Sequence, residues 1–167
     1  MGPDKVPVWI LKEYADELTV PVTLLFNKSL LEGKVPQLMK SANIIPIAKV
    51  KQPQQCSDFR PVSVTPILAR LLERLIVKKF VANAVAKVLH RDQFAFRKGC
   101  STEHALLKIQ HIIGKFLDQK ECRYVRTFLV DFSKAFDLVN HKLLLEKVCN
   151  LDIPAYIYNW LKDFLTN

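Results

Sequence analysis

The chain opens with apolar residues spaced for a helix. Val8, Trp9, Leu11, Tyr14, Ala15 and Leu18 recur at intervals that place side chains on one helical face. Pro21 then starts a second helix, through Leu24, Leu25, Leu30 and Leu31, which Gly33 ends in a turn. The period changes at Ala42. Ala42 to Ala48 and Phe59 to Val64 read as two short strands, with Pro46 pushing the first to an edge because proline has no amide hydrogen for a ladder. The polar stretch between them, Lys49 to Ser57, makes the pair a hairpin with a basic tip.

Helical spacing returns at Thr65-Pro66, a capping hydroxyl followed by proline in the first turn. Ile67, Leu68, Leu71, Leu72, Leu75 and Ile76 form one stripe, while Arg70, Glu73, Arg74, Lys78 and Lys79 lie mainly elsewhere. The helical pattern extends, with or without a break, to Leu89. His90 to Thr102 forms a connection, and Ser101 or Thr102 caps another helix. Its stripe is Ala105, Leu106, Ile109, Ile112, Ile113, Phe116 and Leu117. Tyr124 to Asp131 reads as a strand, with Phe128-Leu129-Val130 as a buried apolar run. Two more helices follow, one over roughly Lys142 to Asn150 and one from Pro154 onward. The order predicts an α+β fold, helix-rich with a short antiparallel hairpin and one further strand.

Composition changes this picture in two ways. Half of the 167 residues are hydrophobic, enough for a core and against disorder. The formal charge of +9 points to a polyanionic partner, most simply nucleic acid, although the basic residues look spread out and form no tail. The four cysteines have no zinc-knuckle or redox spacing, so free thiols in a reducing compartment are expected. Lys12, Glu13 and Asp16 interrupt the N-terminal apolar stretch, and no apolar run is long enough to span a membrane. An intracellular protein, nuclear or cytoplasmic, is expected.

The sharpest chemical candidate is Asp131. An apolar strand that ends in a carboxylate can hold it in a cleft on a fixed backbone, as a metal-binding acid requires. Read from this segment alone, a capping aspartate at a strand-to-helix turn fits as well. His104 and His111 share a helix, but no third ligand is spaced with them, and Asn140-His141 reads as a helix start.

The surrounding segments weigh on that choice. FLVDFSKAFDLVNHKLLLEKV resembles the first palm motif of reverse transcriptases in its non-LTR (LINE-like) retrotransposon form. DFRPVSVTPILARLLERLI resembles the fingers strand and the helix after it, and DQFAFRKGCSTEHALLKI the next motif. Residues 2–50 resemble the usual lead-in. The four pieces stand in family order and cover nearly the whole chain. Group II intron and telomerase enzymes share this polymerase core, but the wording is nearer to LINE-like elements.

The resemblance implies the fingers and the start of the palm of a right-hand polymerase. Residues 1–122 would be the fingers region with its lead-in helices, and 123–167 the start of the palm. It implies template-directed nucleotidyl transfer with two Mg²⁺ ions in the complete enzyme. Asp131 would be the catalytic ligand to both metals, helped by the backbone carbonyl of Phe132. Phe136 falls where a ring lies under the incoming sugar and rejects a 2′-hydroxyl; a core phenylalanine is the other reading. Arg60 corresponds to the arginine that reaches the triphosphate; a salt bridge with Asp58 or another local acid is the alternative. Lys49 or Lys51 would assist it, Lys49 fitting the strand end better. Gln93, Arg97, Lys98 and Gly99 would form the turn that meets the template, while Phe94 and Phe96 pack inward. Lys134 is either a surface charge or a contact beside the metal site. The implied partners are an RNA template, a DNA primer and deoxynucleoside triphosphates, with no membrane; oligomeric state stays open.

The sequence contains no Asp-Asp pair, the hallmark of the second palm motif. Glu146, Asp152 and Asp163 follow in helical patterns and look like surface acids. The expectation is therefore a polymerase fragment truncated before the second catalytic motif and inactive alone, with exposed apolar faces that favour aggregation. The alternative is a non-catalytic nucleic-acid-binding remnant of such a polymerase.

Overall fold

The computed structural model describes residues 2–132 and 134–166. By their internal contacts they form two units, 1–84 with 141–167 and 85–140.

The first unit begins with α1, Val8–Glu13, and α2, Ala15–Glu32. The two are separated only at Tyr14, whose φ of −105° and ψ of 36° leave the helical region. The expected break at Pro21 is not there: Pro21 sits inside α2. It lies on the exposed side, where water can satisfy the carbonyl that loses its amide partner. Gly33 caps α2 in the left-handed conformation at φ 61°. A side chain there would also press on Asn159, since an added Cβ would come within 3.0 Å of it.

A short helix α3, Gln37–Lys40, leads into the hairpin. Strand β1, Asn43–Ala48, pairs antiparallel with β2, Phe59–Val64, in the register Asn43↔Val64 to Ala48↔Phe59. Pro46 faces Pro61. Two residues without amide hydrogens can face each other only where the ladder asks for none. The two-strand sheet that sequence predicts is therefore present, and both its strands are edges.

Helix α4, Ile67–Ile76, follows with Pro66 at its N-cap position and no side-chain cap, so the Thr65 hydroxyl does not play the expected capping role. A π turn, Val77–Val81, joins α4 to α5, Ala82–Val88, and is the break left open by the periodicity. After the second unit the chain returns as α7, His141–Cys149, and α8, Ala155–Leu165.

The core gathers here. Phe26 of α2, Val35, Met39, Ala69, Leu72 and Ile76 of α4, and Ile157 and Trp160 of α8 pack as one cluster. Polar groups lock it. The Trp160 indole donates to Ser29 Oγ at 3.0 Å, and that hydroxyl donates to the Lys34 carbonyl at 2.5 Å. Asp163 accepts from Lys34 Nζ at 3.0 Å, from the Val35 amide at 2.9 Å and from Lys40 Nζ at 2.7 Å. Asp163 is thus not the surface acid its helical position suggested; its side chain is 9% exposed and that of Lys40 6%. A helix pattern shows which face a residue is on, and here that face is closed by chain from 128 residues earlier.

The second unit contains α6, Thr102–Leu117. Ser101, not Thr102, caps it: Ser101 Oγ accepts from the His104 amide, and the His104 ring returns to the Ser101 amide. Its stripe is not buried. Leu106, Ile109, Ile112, Phe116 and Leu117 are exposed, and among the described residues of 85–140 no apolar side chain is fully buried. The strand expected from Tyr124 to Asp131 is also absent as a ladder, and Phe128, Leu129 and Val130 are 85%, 92% and 83% exposed. An apolar run reports that burial would be favourable, but a strand also needs a neighbour for its backbone groups.

Lys40 and Val35 hold the Asp163 carboxyl well below the usual carboxylate range, the Lys40 hydrogen bond being the larger cause. The unfolded chain would bind that proton near pH 4. Between the two values the unfolded state carries more protons, so stability rises with pH there. The contribution of Asp163 should be complete at neutral pH and fall away as the pH drops below about 4. Urea melts at neutral and acid pH should show this loss in the natural chain and a flatter profile in Asp163→Asn. Asp163→Ala should cost about 3–5 kcal/mol at neutral pH, because it strands the buried Lys40 ammonium.

Candidate nucleotide and nucleic-acid site

The candidate residues fall in both units. Lys49 and Arg60 belong to the hairpin of the first. Antiparallel pairing sets Arg60 opposite Ile47 near the loop end of the ladder, with Lys49 one residue beyond β1. The loop between them closes through Asp58. Its carboxylate accepts from the Gln54 and Gln55 amides, each at 3.0 Å, and those two bonds hold its pKa down. The Lys49 amide donates to the Asp58 carbonyl at 2.7 Å, and the Lys49 ammonium donates to the Ser57 carbonyl at 2.7 Å.

Asp58 therefore serves the loop backbone, and the salt bridge weighed for Arg60 does not form. Arg60 is exposed and has no ion-pair partner among the described residues. An exposed guanidinium with no acid partner among the described residues is suited to hold phosphate oxygens in its fork. Lys49 is engaged on its own loop, whereas Lys51 is exposed.

In the second unit the connection after α5 is a series of turns. The Gln93 side chain donates to the Ala95 carbonyl at 3.1 Å, and Arg97 Nη1 to the Arg91 carbonyl at 3.4 Å. The Cys100 amide closes a turn on the Arg97 carbonyl at 3.1 Å. Gly99 takes φ 79°, a conformation that disfavours side chains. Arg97 and Lys98 are exposed on this turn. The inward packing expected of the phenylalanines holds in part for Phe94, which is half-buried. Phe96 departs from it at 93% exposed, edge-on to Phe136 with centroids 6.4 Å apart. Its φ of 59° lies in the left-handed region, uncommon for a residue with a bulky side chain.

An ion pair that sequence did not reveal anchors this segment. Asp92 in the connection meets Lys108 on α6. Their separation of sixteen residues matches no helical or turn spacing, so only the folded chain shows the pairing.

Asp131 is exposed and, among the described residues, makes no hydrogen bond or ion pair; it is not the helix cap of the plainer reading. Phe132 and Phe136 are 78% and 82% exposed, so Phe136 is not a core residue. Lys134 adopts φ 52° and its carbonyl accepts from the Asp137 and Leu138 amides, a turn in the second half of the FLVDFSKAFD motif. Ser133, inside the motif, lies outside the described residues. Among the described residues no three His, Cys, Asp or Glu side chains converge as metal ligands. The four cysteines are free.

Replacing Lys108 with alanine should loosen the connection around Arg97 without unfolding α6. A half-exposed ion pair contributes about 0.2–1 kcal/mol. Amides of residues 93–100 should then exchange with solvent up to about fivefold faster, while those in the middle of α6 keep their rates.

The model of the family described as reverse transcriptase (RNA-dependent DNA polymerase) matches residues 47–167. Among curated proteins, the RNA-directed DNA polymerase from mobile element jockey of Drosophila funebris is 31% identical over 165 residues. That of Drosophila melanogaster is 32% identical over 166, and the probable RNA-directed DNA polymerase from transposon BS of Drosophila melanogaster 32% over 169. Each of these alignments covers 98% of this chain but 18% of the relative, so the chain spans under a fifth of their length. The motif order read from the sequence and the family match over residues 47–167 agree, and the chain belongs to the reverse transcriptase family in the form carried by non-LTR retrotransposons.

Proposed function

We propose that this sequence supplies the fingers and the first part of the palm of a right-hand polymerase that copies RNA into DNA. Residues 1–122 are the fingers with their lead-in helices and 123–167 the start of the palm. The observation that carries the reading is the order of four motifs ending in FLVDFSKAFD, with Asp131 exposed and unengaged. Arg60 binds the triphosphate of the incoming deoxynucleotide, and a lysine of the hairpin loop assists. Lys49 would have to leave the Ser57 carbonyl to do so, which leaves Lys51 as the readier donor. The Phe136 ring, open to solvent, lies under the sugar. Gln93, Arg97, Lys98 and Gly99 meet the template, and their phosphate contacts carry no sequence preference.

Two Mg²⁺ ions would stabilise the attacking and leaving oxygens in such an enzyme. Asp131 and the Phe132 carbonyl are this chain's contribution to holding them. One carboxylate does not fit a two-metal centre, and no further acids converge beside it among the described residues. The residues present therefore carry recognition of template and nucleotide, and this chain alone does not polymerise. Its charge of +9 also supports the second reading, a nucleic-acid-binding module without turnover.

Primer extension separates these readings. The 167-residue chain with Mg²⁺, an RNA template, an annealed DNA primer and deoxynucleotides should show no incorporation; incorporation that disappears in Asp131→Ala would overturn this. In a longer polypeptide that contains this sequence and extends a primer, Asp131→Ala should reduce extension by more than about a hundredfold, since losing even a group that merely supports a metal ligand costs about 10–100-fold. Arg60→Ala there should raise the KM for deoxynucleotides about tenfold or more, the worth of a charge-assisted hydrogen bond. A longer polypeptide that extends primers equally well with either substitution would remove both assignments.

A further inference from the structure

The positive charge of this chain is concentrated. Between Lys49 and Arg126 lie sixteen of the twenty-five basic residues and only six of the sixteen acidic ones. Helices α1 and α2, by contrast, hold Lys12 and Lys28 against Glu13, Asp16, Glu17 and Glu32.

Within the first unit the excess forms a strip on α4 and the π turn after it. Arg70, Arg74 and Lys78 follow one another four residues apart, each about one helical turn beyond the last. The core side of the same helix is Ala69, Leu72 and Ile76, and helical periodicity turns the three basic residues to the opposite side. All three are exposed, and none has an ion-pair partner among the described residues. Glu73 is the one acid on α4, and no ion pair joins it to Arg70. Like charges at this spacing repel. Among the described residues no acid pairs with any of the three, whereas Asp163 and Asp92 pair with other lysines of the chain. The strip also runs into the π turn, a departure from α-helical geometry that is frequent at functional sites.

We infer that Arg70, Arg74 and Lys78 form a backbone-binding track for a nucleic-acid strand, built from residues other than Arg60 and the turn that carries Arg97. The inference rests on the nucleic-acid partner proposed above. Its ligand is the phosphodiester chain: two arginines offer planar forks for phosphate oxygens, and the lysine adds a point charge. The strip presents no aromatic ring for base stacking and no acceptor beyond Glu73, so the contact reads charge and not sequence.

The test uses fluorescein-labelled single-stranded oligouridylate and its deoxy counterpart, with the anisotropy of the 167-residue chain followed over a salt series. Each phosphate contact to a single strand contributes about 0.7 to the slope of log K against log salt. Arg70→Ala/Arg74→Ala/Lys78→Ala should flatten that slope by about 2 and weaken binding at low salt by more than tenfold for both oligonucleotides. Lys12→Ala/Lys28→Ala/Lys147→Ala removes the same charge from other exposed positions and should leave the slope within 0.5 of the natural value, on the order of less than one contact. Circular dichroism melts check that both triple variants keep the fold. An unchanged slope in the strip variant, or an equal loss in both variants, would overturn the track while leaving the nucleic-acid reading in place. Full competition by polyglutamate at equal charge would also overturn it, assigning the strip to acidic protein surfaces. A natural chain with no salt-dependent affinity would end both proposals.

Discussion

The first unit depends on one carboxylate. Asp163 sits on the last helix and binds the Lys34 and Lys40 ammonium groups and the Val35 amide, in the segment that leaves α2. Gly33 makes that arrangement accessible by turning the chain sharply at φ 61°, and Ser29 and Trp160 seal it one turn away. The hydrophobic cluster of Phe26, Leu72, Ile76, Ile157 and Trp160 supplies most of the free energy, yet it is non-directional. The hydrogen bonds to Asp163 decide which groups lie opposite one another. They bring together stretches more than 120 residues apart, and α4, from which the π turn and its lysines extend, packs onto the resulting core.

The second unit has a different physical character. Its capping is well made, its connection is pinned by Asp92 and Lys108, and its turn residues are where turn chemistry requires them. Its apolar side chains nonetheless face solvent, including the α6 stripe and the run before Asp131. Such faces are interaction surfaces or aggregation hazards. The chain covers 18% of the length of its relatives. Recognition of phosphate by a few exposed cations needs no deep burial, whereas a two-metal centre needs several carboxylates brought together. In the proposed reading this chain contributes exposed cations to the first and Asp131 alone to the second.

Much of the local structure was legible in the residues. The hairpin followed from the change of period and the flanking polar loop, the start of α6 from the Ser101-Thr102 pair, of which the structure uses Ser101, and the end of α2 from Gly33. The family was legible because its motifs combine residue types with an order that local structure does not demand. Readings that failed did so where a local signal stood in for a distant partner. Pro21 looked like a helix start because proline favours the first turn, but an exposed position lets α2 carry it. Asp163 looked like a solvent acid because its own helix says nothing of Lys40. The strand through Phe128 to Val130 was expected from hydrophobicity, which measures the gain from burial but supplies no neighbouring strand.

What the sequence determined by itself is therefore the identity of the motifs, the helix-rich α+β character and the excess of positive charge. These depend on short-range sterics, periodicity and composition, all of which are written along the chain. The tertiary structure alone decided which charges are neutralised and which stay free. Asp163 takes Lys34 and Lys40, Asp92 takes Lys108, the Gln54 and Gln55 amides take Asp58, and Arg60, Arg70 and Arg74 are left facing solvent with no acid partner among the described residues. Pairing of charges depends on distances of a few ångströms between residues far apart in sequence, and only folding sets those distances.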